Sequence, residues 1–412
     1  MPEPTSDSAD RVLIAGGGPV GYTVATILAQ KGIPFVLLEA GDHVFDEPRA
    51  GTIHPPTLEL YDTIGATDEM IRRGFTVSNY KYWDRAEGLV AEFDLGVLKD
   101  ETRYPYRLML EQHKVCYVLQ EMLEELRAGG ARFEIRMETR VTGVTQDADS
   151  VTATVETKGG GTEQVRGRWM IGCDGGRSQV RKSMDVDFEG FTYDERFLIL
   201  STPYDFEPLG YAYTNYIADP VSWRALFKVP GGDGTGMWRV VSPVDPTLPE
   251  DELFAEDAVQ ARLQDFHPID GDYDVVHRNV YNVHQRVASS YVDGRLLLAG
   301  DSAHINNPLG GMGMNFGIQD AFNLTDKLAR IWFDGAGHDL LGLYDRQRRT
   351  VAQEYLQKQT IENKKNLEQK DPVERKRFQD ELRATAADPV KVHAYLRRAA
   401  MIEGFERSLS IN

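Results

Sequence analysis

The residues able to do chemistry in this 412-residue chain fall into glycine-rich clusters and a few isolated side chains. Gly16, Gly18 and Gly21 satisfy G-x-G-x-x-G directly after the apolar run Val12–Ala15, with Pro19 inside the pattern. Glycines there permit a tight turn and close backbone approach, so that a helix N-terminus can hold a pyrophosphate. Glu39 closes the next apolar run, Phe35–Leu38. A carboxylate in that place accepts hydrogen bonds from ribose hydroxyls. The pattern predicts a dinucleotide, NAD or FAD. A later signal selects FAD: the run Arg295–Ala299 ends at Gly300-Asp301, and such an Asp can hold the ribityl end of a flavin nucleotide.

A third cluster, Gly310-Gly311-Met312-Gly313-Met314-Asn315, begins a long helical pattern. Its free N–H groups would point at the pyrimidine edge of an isoalloxazine, which becomes negative on reduction. Between these clusters stands Cys173-Asp174-Gly175-Gly176-Arg177-Ser178-Gln179-Val180-Arg181. Asp174 ends a strand there, and Ser178 and Arg181 lie one turn apart on the helix that follows. Nucleotide contact and a purely architectural role are both open for this segment.

Taken in order, the three motifs resemble those of the single-component flavoprotein aromatic hydroxylases, the para-hydroxybenzoate hydroxylase group. The likeness covers roughly residues 10 to 350. It implies bound FAD and NADH or NADPH as co-substrate, the latter held transiently without a Rossmann domain of its own. It also implies oxygen transfer to a small phenolic substrate through a flavin C4a-hydroperoxide. Further site residues follow from the likeness: Arg49 toward the FAD and the mobile flavin, Gln112 toward the FAD, and Pro308 beside the flavin. A phenolate attacks an electrophilic oxygen better than a phenol does, so a proton acceptor is expected. His54 and Tyr213 are the candidates, with Tyr211, Tyr216 and Arg224 as substrate contacts on a covering sheet. Alternatives are oxygenation of a non-phenol (epoxidation, N-hydroxylation or antibiotic modification) and FAD binding without turnover.

The elements that must position these residues give an α/β expectation. A discontinuous Rossmann-like FAD-binding domain takes residues 1–78, 100–184 and 286–350. A mostly antiparallel β-sheet substrate domain takes 79–99 and 185–285, and a C-terminal helical segment takes 351–412. Helical spacing predicts Val20–Lys31, 114–128, Asp251–Phe266, Met314–Trp332, Leu340–Lys364 and Tyr395–Leu409. A small meander is expected at Arg140–Thr145, Val151–Glu156 and Glu163–Arg166. Residues 363–383, dense in both charge signs, read as a solvated helical face.

Net charge is −18, which argues against a nucleic-acid partner. No apolar run approaches membrane-spanning length, and no metal-ligand spacing is present. Two cysteines and a polar start point to the cytoplasm. A homodimer is compatible with all of this.

Overall fold

The computed structural model describes residues 9–46 and 51–412. Its nucleotide half is a six-stranded sheet in the order Val292–Asp293, Leu296–Leu298, Trp169–Gly172, Val12–Ala15, Phe35–Leu38, Phe133–Arg136. All neighbours in it run parallel except the first pair. The central strands Val12–Ala15, Phe35–Leu38 and Trp169–Gly172 are buried along their whole length, as expected for a sheet covered on both faces. From Ala15 the chain crosses through helix Pro19–Lys31 to one side, and Trp169–Gly172 lies on the other. That strand-order reversal is where open α/β sheets bind ligands.

The meander forms a separate antiparallel sheet of Thr139–Gln146, Val151–Thr157 and Thr162–Gly167. A small sheet joins Thr52–Ile53, Arg107–Met109 and Phe75–Val77. The largest sheet has eight strands, in the order His304–Ile305, His277–Ala288, Phe188–Thr202, Met237–Val244, Arg224–Val229, Thr214–Ala218, Asn79–Asp84, Gly88–Asp94. All its neighbours are antiparallel apart from Thr214–Ala218 with Asn79–Asp84. Residues 79–94 thus reach this sheet from far upstream in the chain.

Alternation gives the large sheet two apolar faces. Phe197, Ile199, Tyr216, Ala225 and Val241 pack on one side with Tyr80, Phe93 and the C-terminal residues Leu367, Leu382 and Leu396. Leu198, Leu200, Ile217, Leu226 and Val240 pack on the other with Val259 and Leu263 of helix Glu256–Phe266. We call these the inner and outer faces.

The helices depart from expectation in three places, the first being Asp251–Phe266, which divides at Ala255 into Glu250–Phe254 and Glu256–Phe266. Leu340–Lys364 is interrupted by a π-helical turn, Ala352–Gln357, between Asp339–Val351 and Lys358–Leu367. The final helix is two, Pro389–Ala399 and Ile402–Ser410, broken at Met401 with φ +68°. Residues 363–383 are not only a solvated face: Leu367 and Leu382 are buried against the inner sheet face. Helices Pro55–Thr63 and Thr67–Arg73 were not expected from the sequence; both are short, and Pro55-Pro56 opens the first.

Candidate active site

The fingerprint turn is shaped by contacts that only glycine tolerates. Gly16 has φ +98°, and a Cβ there would stand 2.4 Å from the Cys173 carbonyl oxygen. A Cβ on Gly21 would stand 1.9 Å from the Gly16 carbonyl oxygen, so the helix packs directly on the turn. Gly18 differs: a Cβ there would meet nothing within 4 Å. It caps helix Pro19–Lys31, and no side-chain hydrogen bond caps that end. Open space before an uncapped helix N-terminus fits a pyrophosphate. Beside it the Glu39 carboxylate accepts from the backbone N–H of Gly17 (2.5 Å) and Gly41 (2.7 Å). That places it at the rim of the turn, as a ribose contact requires.

The second motif supports the first. Asp174 Oδ2 accepts from the N–H of Gln179 (2.7 Å) and Val180 (3.3 Å), and burial raises its pKa. Arg181 donates to the carbonyls of Ser302 (2.8 Å) and Gly176 (2.7 Å), tying this segment to Gly300-Asp301. What the geometry displays for Asp174 and Arg181 is architecture. Gly300 and Ser302 are buried, while the Asp301 side chain between them is exposed. Beneath them Asp320 accepts from Gly300 N–H (3.1 Å), Arg348 Nε (2.7 Å) and His304 Nε2 (2.7 Å). Burial opposes ionisation of Asp320, but the His304 and Arg348 partners outweigh it and hold the pKa below the usual carboxylate range. His304 is therefore internal support for the loop.

The third cluster leads into helix Gly313–Asp334, whose N-terminus has no side-chain cap. The Pro308 carbonyl accepts from Gly311 N–H (3.0 Å), closing a turn. Gly311 has φ +65°, and a Cβ there would press on Thr52 at 2.7 Å. Met314 and Asn315 are buried. Asn315 accepts from the His54 backbone N–H (2.8 Å) and donates to the carbonyls of Thr52 (2.9 Å) and Gly311 (2.8 Å).

His54 completes this knot. Its Nε2 lies 2.9 Å from the Gly310 carbonyl oxygen, so Nε2 carries the hydrogen and donates. Nδ1 is then a bare acceptor, and it has no partner among the described residues. The ring is fully buried. Burial, followed by the charge of Arg107, pushes its pKa down to about 3 against the backbone contacts of the loop. His54 is thus a neutral anchor of the loop and a weak base near neutral pH.

The inner sheet face meets this loop. Leu309, immediately before Gly310, packs in one cluster with Tyr80, Phe93, Phe197, Tyr216 and Val241, with Phe227 and Tyr395 at its margin. Tyr216 therefore lies on the sheet face that meets the glycine loop. The expected proton acceptor Tyr213 and the expected substrate contacts Tyr211 and Arg224 stand elsewhere, because strand alternation turns them from Tyr216. Tyr211 packs on the outer face with Trp83 and Phe206, while Tyr213 sits between Trp238 on that side and a small cluster of Phe75, Val77, Met109 and Phe227. Tyr213 stands under the Lys228 ammonium, which also binds Glu207. Arg224 is buried on the outer side and donates to Asp265 of helix Glu256–Phe266 (3.3 Å). A residue that spends its charge there is not aimed at the flavin loop. Gln112 begins helix Gln112–Ala128 and is half-buried. Arg49 lies outside the described residues.

Sequence reasoning missed Arg107, Tyr80, Phe93 and Tyr395. The Arg107 guanidinium sits 4.5 Å from the Tyr80 ring centroid. Tyr80 stacks on Phe93 (5.3 Å), and Phe93 lies against Tyr395 (4.5 Å) from the C-terminal helices. The alternation of Tyr80 and Tyr82 in Asn79–Asp84 was the visible signal.

A dinucleotide turn, a flavin-type loop and an aromatic sheet face meeting at that loop define an FAD-dependent aromatic monooxygenase, with NAD(P)H as electron donor. The chain belongs to the FAD binding domain family, whose profile matches residues 10–359. It is 35% identical over 400 residues to para-nitrophenol 4-monooxygenase of Pseudomonas sp. (strain WBC-3), covering 97% of both chains. It is 31% identical over 397 residues to 6-hydroxy-3-succinoylpyridine 3-monooxygenase HspB of Pseudomonas putida (strain DSM 28022 / S16), covering 96% of this chain and 98% of that one. Among solved structures it resembles p-nitrophenol 4-monooxygenase PnpA from Pseudomonas putida DLL-E4, with TM-score 0.89 and 32% identity over 96% of this chain and 98% of that one.

Proposed function

We propose that the protein hydroxylates a single-ring phenol bearing an electron-withdrawing substituent, of the kind named for its para-nitrophenol-oxidising relatives. Bound FAD, reduced by NAD(P)H, supplies the oxygen-transfer chemistry. The Gly18 helix end holds the pyrophosphate, with Pro19 and the turn of Gly16 and Gly21 behind it. Glu39 holds the ribose, and Asp301 with Gly300 the ribityl chain. The Gly311–Asn315 turn, with Gly313 and Met314 at the helix end, faces the pyrimidine edge. Arg49 and Gln112 are assigned further FAD contact by family likeness. Asp174 serves by holding the strand end that backs the turn.

The ring is placed between Pro308–Gly310 and the inner face, against Tyr216 and Phe227. The observation that carries this reading is Leu309: one residue belongs both to the flavin loop and to the aromatic cluster of the sheet. Enclosed aromatic walls exclude water from the reaction, which such oxygen transfer needs. Among the described residues no helix is long and apolar enough to cross a membrane. Cytoplasmic residence is inferred from the two unpaired cysteines, Cys116 and Cys173.

The test is NAD(P)H oxidation by the flavin-loaded protein across a panel of para-substituted phenols, with products identified. Stimulated oxidation giving a dihydroxylated ring supports the reading. Oxidation indifferent to every phenol, with only hydrogen peroxide formed, contradicts it.

A further inference from the structure

Most buried cations among the described residues have a visible partner. Arg348 pairs with Asp320, Lys364 with Glu195 and Glu368, and Lys228 with Glu207. Arg224 pairs with Asp265, and Arg181 donates to two carbonyls. Arg107 is 3% exposed, its Nε makes no hydrogen bond, and among the described residues no carboxylate pairs with its guanidinium. A guanidinium so buried is costly unless something negative faces it.

The groups around Arg107 show where that something would stand. They are the His54 imidazole, held neutral, and the hydroxyls of Tyr80 and Tyr395, both far from ionising because they are buried. None is an anion. His54 comes from the flavin-loop knot, Tyr80 from the edge of the inner face and Tyr395 from the C-terminal helices. Arg107 itself is held on the short strand Arg107–Met109, paired with Val77. Elements from four parts of the chain thus converge beside the loop on one positive charge that no carboxylate among the described residues pairs with.

We propose that Arg107 is the anion-binding residue of the substrate site, and that its guanidinium pairs with the oxygen of a phenolate. This rests on the phenol reading above. It changes how the ring becomes reactive. The substrate enters already ionised, or gives its proton to solvent on binding, and the positive charge keeps it so. A side-chain base is then unnecessary, in keeping with a His54 that is too acidic to serve as one. Strand geometry supports the assignment: Arg107 is anchored by backbone pairing and by the Tyr80 ring, which leaves its planar fork for a ligand.

Equilibrium titration of the flavin-loaded protein with 4-nitrophenol and 4-chlorophenol, which ionise at different pH, tests this directly. Wild-type affinity should rise as each phenol ionises, at two separate pH values. Arg107→Met should weaken binding of the ionised phenol by about 30-fold, as for loss of a charge-assisted hydrogen bond, and erase the pH dependence. Arg107→Lys should keep the pH dependence. Equal binding of ionised phenol by Arg107→Met and wild type would overturn the proposal, as would wild-type affinity that ignores ionisation. If Arg107→Met does not retain FAD, the wild-type and Arg107→Lys pH profiles decide alone. A wild type that binds neither phenol would instead overturn the phenol reading itself, and this assignment with it.

Discussion

The two faces of the eight-stranded sheet are made by the same strands, yet only one meets the glycine loop. Tyr216 and Ala225 face inward, where Leu309 brings the glycine loop against them. Their neighbours Ile217 and Leu226 face outward under helix Glu256–Phe266. Both faces are aromatic, buried and apolar, so composition does not tell them apart. What differs is the partner. The inner face is closed by a loop with an open helix end and by the Arg107 guanidinium, which pairs with no carboxylate among the described residues. The outer face is closed by a helix and by satisfied ion pairs such as Arg224–Asp265. A catalytic wall is thus recognised by what remains unsatisfied beside it, not by its aromatics.

The sharpest way to break the comparison is at the loop. Gly311→Val should clash with Thr52 and strain the turn, a conformational penalty of about 1–3 kcal/mol before the clash is counted. The purified variant should retain little FAD when its flavin absorbance is compared with its protein absorbance. Full FAD occupancy would show that this turn does not shape the flavin site.

Next comes the inner wall. Phe227→Ala removes a ring that packs edge-on against Tyr216 (6.1 Å). FAD should stay bound, while product formed per NAD(P)H falls about tenfold because the ring is no longer held for attack. Hydrogen peroxide should account for the difference. Unchanged coupling would place the substrate elsewhere.

A smaller effect separates the anchor role of His54 from a base role. Its folded pKa of about 3 is far below the ordinary 6.5, so the unfolded chain takes up a proton that the folded one refuses. Its contribution to stability is complete above the ordinary pKa and declines as pH falls from 6.5 toward 3. The slope approaches ~1.4 kcal/mol per pH unit within that window. Urea unfolding at pH 4.5 and 7 should show this loss in wild type and a shallower one in His54→Gln. A slope equal in both proteins would remove His54 from the buried neutral state.

The smallest effects belong to the outer face. Tyr213→Phe should leave phenol affinity and coupling at wild-type values. Arg224→Met should cost about 1 kcal/mol of stability, since its carboxylate partner is half exposed, and should leave turnover unchanged. Steady-state rates and peroxide yield check both. A tenfold loss of coupling in either would reverse the assignment of faces.

The cofactor half of this site was legible because its signal is backbone geometry written as glycine. Gly16, Gly21 and Gly311 stand where any Cβ would strike another atom, and such positions leave a local mark in sequence. The meander and the principal helices were legible through their periods. The substrate wall left no such mark. Alternation in Thr214–Ala218 says that Tyr216 and Ile217 face opposite ways, but not which way is inward. That sign is set by the C-terminal helices and Leu309, far away in sequence. The sequence therefore did not separate Tyr211 and Arg224, which face outward, from Tyr216, which faces inward. Arg107 was passed over because a lone Arg opening a short apolar strand has no motif; only tertiary structure shows that no carboxylate among the described residues pairs with it.

A crystal structure of the flavin-loaded protein with 4-nitrophenol would test the assignment of faces most directly. The account predicts the ring between Leu309 and the inner residues Tyr216 and Phe227, with its phenolic oxygen within hydrogen-bonding distance of Arg107. A ring bound on the outer side, against Tyr211 and Arg224, would contradict it.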